Sequence, residues 1–124
     1  MTAEDMDALV RRFVVALNAT DWDAALACLD DDVAIDRGTG ERSIGREAFR
    51  DSLAAEARRV RSSIGDLVVM VALDGAHAAA EFTLRGEPAD GQGRSFSVPA
   101  GLFFEIADGR IARISARRGL DAAH

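Results

Sequence analysis

The chain of 124 residues has the length of one ordinary domain, and its composition, 48% hydrophobic and 29% charged, is that of a globular protein rather than a disordered one. Its net charge of -6 provides no basic excess to displace counterions, which argues against nucleic acid and membrane surfaces as partners. The single cysteine, Cys28, excludes an internal disulfide and fits the reducing cytoplasm. The acidic N-terminus lacks a long apolar run, so we expect neither a signal peptide nor a membrane anchor, and we predict a cytoplasmic protein.

The first half of the chain has helical periodicity. Apolar residues recur at helical spacing over 6–17, and Thr2 is placed to cap this first helix. Thr20 is expected to cap a short second helix that buries Trp22. A third helix is predicted to begin near Gly45, after a short strand over 33–36 that ends on an acid.

The second half of the chain has the pattern of β-strands. Strands are predicted over residues 67–73, 77–85, 94–107 and 110–118. The first of these is almost entirely apolar, so we expect both of its faces to be covered. Gly65 fits a break or a bulge, and the Asp-Gly pairs at 74–75 and 108–109 mark turns. The simplest arrangement is an antiparallel sheet with helices on one side.

Strand parity predicts a pocket on the face of the sheet that the helices cover. A two-residue hairpin at 108–109 would pair Ala107 with Arg110, and therefore Phe103 with Ile114. Many residues on that face are small, which leaves volume unfilled unless helix side chains occupy it. The residues expected to line the pocket are Phe13, Leu17, Trp22, Ala80, Phe82, Gly101, Phe103, Ile114 and Ala116.

Three segments carry a family resemblance: RRFVVALNATDWDAALACLDDDVAID, IGREAFRD and PAGLFFEIADGRIARIS. They resemble the SnoaL-like and ketosteroid isomerase-related group of the nuclear transport factor 2-like superfamily, over nearly the whole chain. The resemblance implies one domain over residues 1–124, with an α+β fold. In that fold, a cone-shaped α+β barrel, three N-terminal helices pack in a strongly curved antiparallel sheet. It also implies a homodimer formed through the outer face of the sheet.

The resemblance implies a proton-shuttling acid at the end of the first strand, and Asp36 is the best counterpart. An ungapped alignment places Arg37 there instead. The position of the family's tyrosine donor matches Phe13, which has no hydroxyl, and the position of its protonated aspartate matches Gly101 or Leu102. Losing one such donor typically costs about 10²–10³ in rate, so we do not expect efficient steroid isomerisation by that mechanism.

Arg118 ends the last strand on the inferred pocket face, where it could bind a carboxylate or steady an enolate, or else form an exposed strand end. Two isolated histidines lack the spacing of metal ligands, so no metal or other cofactor is predicted. Two functions remain open. One is an acid–base enzyme of isomerase, dehydratase or cyclase type that acts on a small apolar molecule, with Asp36 and Arg118 as its catalytic residues. The other is a non-catalytic ligand-binding or dimeric accessory module, and the surroundings of Asp36 discriminate between them.

Overall fold

The structure, a computed structural model, describes residues 1–118 without the side chain of Arg118. Its elements in chain order are α1 (Ala3–Asn18), α2 (Trp22–Ala27), β1 (Leu29–Asp36), β2 (Arg42–Ile44), α3 (Arg46–Arg59), β3 (Val60–Val71), β4 (His77–Pro88), β5 (Phe96–Ala107) and β6 (Arg110–Arg118). The strands form one curved, unclosed sheet in the order β2-β1-β6-β5-β4-β3. Three helices pack against its concave face, which confirms the predicted α+β class and cone-like shape.

The helices begin where side chains can satisfy their free backbone N–H groups. The Thr2 hydroxyl accepts a hydrogen bond from the Asp5 N–H, and the Asp5 carboxylate accepts one from the Thr2 N–H, so the predicted cap of α1 is confirmed. The cap of α2 is Asp21, whose carboxylate accepts from the Ala24 N–H. Thr20 adopts a left-handed conformation with φ of 54° in the turn before it, so the prediction that Thr20 caps α2 is wrong by one residue.

The sheet differs from the prediction at both of its edges. β1 pairs with β6 in parallel, so the sheet is mixed rather than wholly antiparallel, and the short edge strand β2 was not predicted. At the other edge β3 begins at Val60, and its side chains Val68 and Met70 are exposed on the outer face. The expectation that both faces of this segment are covered is therefore wrong. The bulge expected at Gly65 is confirmed, because the register against β4 shifts between Gly65 and Val68.

A second bulge, at Ala112 of β6, changes which residues of β5 and β6 lie opposite each other. Ala107 faces Arg110 as predicted, but the register against β6 shifts between Glu105 and Ile106. Phe104, not Phe103, therefore lies opposite Ile114. Side chains alternate along β5 without interruption, so the buried Phe104 and Ile106 face the core and Phe103 faces away from it. Phe103 is 53% exposed on the outer face, so its predicted position in the pocket is wrong.

The packed core occupies the end of the sheet nearest the β3–β4 and β5–β6 turns. There Phe13 of α1 lies between two other aromatic rings, with centroid separations of 6.1 Å to Phe49 and 6.0 Å to Phe104. The side chains of Met6 and Ile111 are also fully buried. Toward the opposite end of the concave face, near the end of β6, Ala100 and Ala116 are small, and this is where the candidate site lies.

Candidate functional site

A cavity of about 750 Å³ lies between the helices and the concave face of the sheet. Its apolar wall consists of Leu17, Trp22, Leu53, Ala57, Val60, Ile64, Phe82, Leu84, Phe96, Ala100, Leu102 and Ala116. These residues come from all three helices and from four strands. A concave, mostly apolar space of this size is typical of a site for a small organic molecule.

Small side chains on the last strands leave this space unfilled. Ala116 lies opposite Leu102 in the β5–β6 pair, and Ala100 lies opposite the backbone of Arg118. Farther along the same strands, the equivalent inward positions carry Phe104 and Ile114, which fill the core. The change from Ile114 to Ala116 along β6, with Ala100 beside it on β5, therefore separates a packed end of the interior from a hollow end.

Polar groups lie around the mouth of the cavity, on exposed residues of α1, α3, β3 and β6. Glu56 is the one carboxylate among the described residues that line it, and its carboxylate lies 3.3 Å from the Arg59 guanidinium. The amide of Asn18 is occupied, because it donates to the Ile64 carbonyl at 3.2 Å and accepts from the Ile64 N–H at 2.9 Å. The hydroxyl of Ser62 also lines the cavity.

Asp36 does not line the cavity. In β1, Val33 and Ile35 are buried, so the alternate positions, including Asp36, point to the outer face of the sheet. There the Asp36 carboxylate lies 2.5 Å from both the Arg42 and the Arg113 guanidinium groups. Hydrogen bonds from Arg42 and then Arg113 hold its pKa below the usual range of a carboxyl. The group is thus a stably ionised ion-pair partner, whereas burial in an apolar pocket would have raised the pKa.

Arg37, one residue later, extends in the opposite direction. Its guanidinium donates a hydrogen bond to the Ser52 hydroxyl of α3, and that hydroxyl donates to the Ala48 carbonyl. The backbone after it turns tightly, with the Gly40 N–H donating to the Arg37 carbonyl. The position that an ungapped alignment gives to the family's catalytic acid is therefore taken, on the helix side, by an arginine that ties the end of β1 to α3.

The structure brings part of the predicted pocket together. Five of the predicted residues line the cavity, namely Leu17, Trp22, Phe82, Gly101 and Ala116. Phe13, Ala80 and Ile114 belong to the packed core, and the Arg118 side chain lies outside the described part of the chain.

Sequence reasoning missed the residues that α3 and β3 contribute. A signal for α3 was present, since Leu53 and Ala57 follow Phe49 at helical spacing.

A row of charges crosses the outer face of the sheet beside Asp36. The Arg113 guanidinium also lies 3.4 Å from the Glu105 carboxylate, which is 3.9 Å from a His77 ring nitrogen. The other His77 nitrogen lies 2.5 Å from the Asp74 carboxylate. Within residues 1–118 no group of three or more His, Cys, Asp or Glu side chains is placed to bind a metal ion. No helix in this range is long and apolar enough to cross a bilayer.

The chain belongs to the SnoaL-like domain family, whose model matches residues 10–114. Two solved structures of proposed polyketide cyclases are similar to it. The one from Pseudomonas putida KT2440 is 39% identical with a TM-score of 0.84 over 90% of each chain. The one from Xanthomonas campestris pv. campestris is 34% identical with a TM-score of 0.86, over 91% of this chain and 89% of that one.

A proposed ketosteroid isomerase from Kribbella flavida DSM 17836 shares the fold. It is 24% identical with a TM-score of 0.74, and the match covers 94% of this chain and 79% of that one. No curated protein matches the chain. Together with the family match, these structures confirm the resemblance that the sequence segments carry.

Proposed function

We propose, from its membership of this family, that the protein binds a small and predominantly apolar organic molecule in the cone. The observation that carries the proposal is the cavity of about 750 Å³ with its largely apolar wall. Two relatives at 34% and 39% identity are described as proposed polyketide cyclases, which favours an aromatic or polycyclic ketone as the class of ligand.

The geometry favours binding without acid–base chemistry at Asp36. Its carboxylate is held by two arginines on the outer face, away from the cavity. Phe13, at the position of the family's tyrosine donor, is buried in the core and has no hydroxyl. A proton shuttle must reach the bound molecule, directly or through one water, and Asp36 is not placed to do so.

One observation favours a second candidate function, an acid–base enzyme of isomerase or cyclase type. Glu56 lines the cavity and is a carboxylate, the group that could remove a proton next to a ligand carbonyl. In this alternative Glu56 has the role that the sequence assigned to Asp36. The two candidates differ in turnover and share the same binding site.

The protein contains a single tryptophan, and Trp22 lines the cavity, so its fluorescence reports on occupancy. Titration with a Δ5-3-ketosteroid is expected to change the emission saturably. Ala116→Phe, which fills the cavity from β6, should weaken this binding at least tenfold. Ala112→Phe is the matched control, because Ala112 lies on the same strand and lines a separate, shallow depression on the outer face. Saturable binding that Ala116→Phe leaves intact would place the ligand elsewhere and contradict the proposal.

Turnover separates the two candidate functions. Isomerisation of the same steroid is measured between pH 4 and 9 for the wild type, Asp36→Asn and Glu56→Gln. Activity that only Glu56→Gln removes would support the enzyme with Glu56 as its base. Activity that Asp36→Asn removes would contradict the geometry described above, and binding without turnover in any variant would support the ligand-binding module.

We also propose that the protein forms a homodimer through the outer face of the sheet. Met70, Ala79 and Phe103 lie opposite one another on β3, β4 and β5, so Met70 and Phe103 form part of an exposed apolar patch. Sedimentation equilibrium is expected to show a dimer at micromolar concentration. Phe103→Lys, which adds a charge to the centre of the patch, should yield monomers without loss of the fold. A monomeric wild type would refute this proposal.

A further inference from the structure

Among the described residues of the lining, one charged side chain points into the cavity, and it is an acid. The charged residues that line the cavity are Arg61, Arg117 and Glu56. Val60 of β3 faces the cavity, so the next residue along the strand, Arg61, points away from it. Ala116 of β6 faces the cavity in the same way, so Arg117 also points to the outer face. Glu56 of α3 is therefore the charged group that a bound molecule can meet.

Helical spacing places Glu56 on the side of α3 that faces the interior. Phe49 is buried in the core, and Leu53 packs against the core from the same helix. Glu56 follows Phe49 by seven residues and Leu53 by three, and these spacings keep all three side chains on one face of the helix. The apolar stripe of α3 therefore ends in a carboxylate where it reaches the cavity.

The Glu56 carboxylate can accept further hydrogen bonds. Its ion-pair partner is Arg59 at 3.3 Å, and both side chains are at least half exposed, so this pair is weak. An ionised carboxylate has about four lone-pair sites for hydrogen bonds, so one such pair leaves acceptor capacity free. Other polar side chains of the wall are already engaged, because the Asn18 amide binds the Ile64 backbone and the Thr20 hydroxyl donates to a backbone carbonyl.

Resting on the proposed function, we propose that the ligand is a hydroxylated aromatic or polycyclic ketone, whose apolar body fills the cavity and whose hydroxyl group donates a hydrogen bond to the Glu56 carboxylate. The apolar wall supplies the buried area. A hydrogen bond to an ionised acceptor is stronger than one between neutral groups, so the carboxylate selects a ligand that can donate. An anionic ligand would instead meet this carboxylate in a chain of net charge -6, so the site disfavours organic acids.

The test compares two aromatic ketones that differ by one methyl group: 6-hydroxy-2-acetonaphthone, whose hydroxyl can donate, and its methyl ether, which cannot. Calorimetric titration of the protein is made at pH 6.5, where the phenolic hydroxyl keeps its proton. The hydroxyketone is expected to bind about tenfold more tightly than the ether, the scale of one hydrogen bond to a charged group.

Variants assign the preference to Glu56. Glu56→Met keeps a side chain of similar length and good helix propensity but removes the acceptor, so the two probes should bind it equally. Glu56→Gln keeps a neutral acceptor and should show an intermediate preference. Glu47→Met is the matched control, because Glu47 begins the same helix two residues before Phe49, on the opposite face and outside the cavity lining, and it should keep the tenfold preference. A preference that came from the bulk of the methyl group would survive in Glu56→Met.

The outcomes separate this inference from the function on which it rests. Equal, saturable binding of both probes to the wild type, or a preference for the hydroxyketone that Glu56→Met keeps, would overturn the role of Glu56 and leave the binding cavity standing. Binding of the methyl ether that Ala116→Phe leaves unaffected would refute the cavity itself as the ligand site.

Discussion

Replacing Asn18 with alanine is expected to loosen the junction between α1 and the edge strand β3. The Asn18 amide accepts from the Ile64 N–H at 2.9 Å and donates to the Ile64 carbonyl at 3.2 Å. It thereby satisfies the backbone of Ile64 as a neighbouring strand would, on the side where β3 has no partner strand. The same contact holds one wall of the cavity, since Asn18 and Ile64 both line it.

The expected loss follows from these two hydrogen bonds. Each contributes about 1 kcal/mol net, and alanine, a better helix former than asparagine, returns about 0.5 kcal/mol, so unfolding becomes easier by about 1.5 kcal/mol. For 124 residues the unfolding entropy at the midpoint is about 0.26 kcal/mol/K, so the melting temperature should fall by about 6 °C.

Thermal and urea unfolding give the stability of Asn18→Ala, and hydrogen exchange of the Ile64 amide locates the effect. That amide loses its acceptor in the variant, so it should exchange faster. Asn18→Asp is the matched control, because its carboxylate still accepts from the Ile64 N–H but cannot donate to the carbonyl, and it should show an intermediate loss. An unchanged melting temperature together with unchanged exchange at Ile64 would refute the reasoning.

Three further outcomes are expected from the fold. Asp36→Asn should lower the free energy of unfolding by a constant amount between pH 5 and 8. Because the arginines lower the pKa of Asp36 in the folded state, the stability that its carboxylate contributes is lost as pH falls below about 4. Urea unfolding in which the wild type and the variant differ more at low pH than at pH 7 would contradict this. Phe104→Ala should cost about 3–5 kcal/mol in the same assay, since the ring is fully buried, and a cost below about 1 kcal/mol would refute the β5 register. Asp21→Ala should cost about 1 kcal/mol through loss of the α2 cap, with helix content followed by circular dichroism, and no change would argue against that cap.

Much of the fold could be predicted from local pattern. The apolar stripe of α1, its Thr2 cap and the start of α3 after Gly45 depend on residues close together in sequence. The β1–β6 pairing could not be predicted in this way, because parallel neighbours join segments far apart in the chain. β2 was missed for a different reason: with three residues it is too short to show the alternation of a strand.

The candidate site was predicted less completely than the fold, and a single step of register explains much of the difference. The small residues of β5 and β6 indicated a hollow, and Gly101 and Ala116 do line the cavity. The bulge at Ala112 of β6 shifted the β5–β6 pairing by one residue, so Phe103 lies on the outer face, and alternation along β1 placed Asp36 there as well. A bulge has no distinct residue signature here, so parity counted from the hairpin fails beyond it.

By itself the sequence determined the class of fold, the family and the largely apolar character of the interior, because these depend on composition and on periodicity within each element. Only the tertiary structure decided which face each charged side chain occupies. Asp36 is paired outside the cone, Arg37 is tied to α3, and Glu56 lines the cavity. The physical reason is that a strand alternates its faces with every residue, so the bulges and partners that fix the register also fix which charges a ligand can meet.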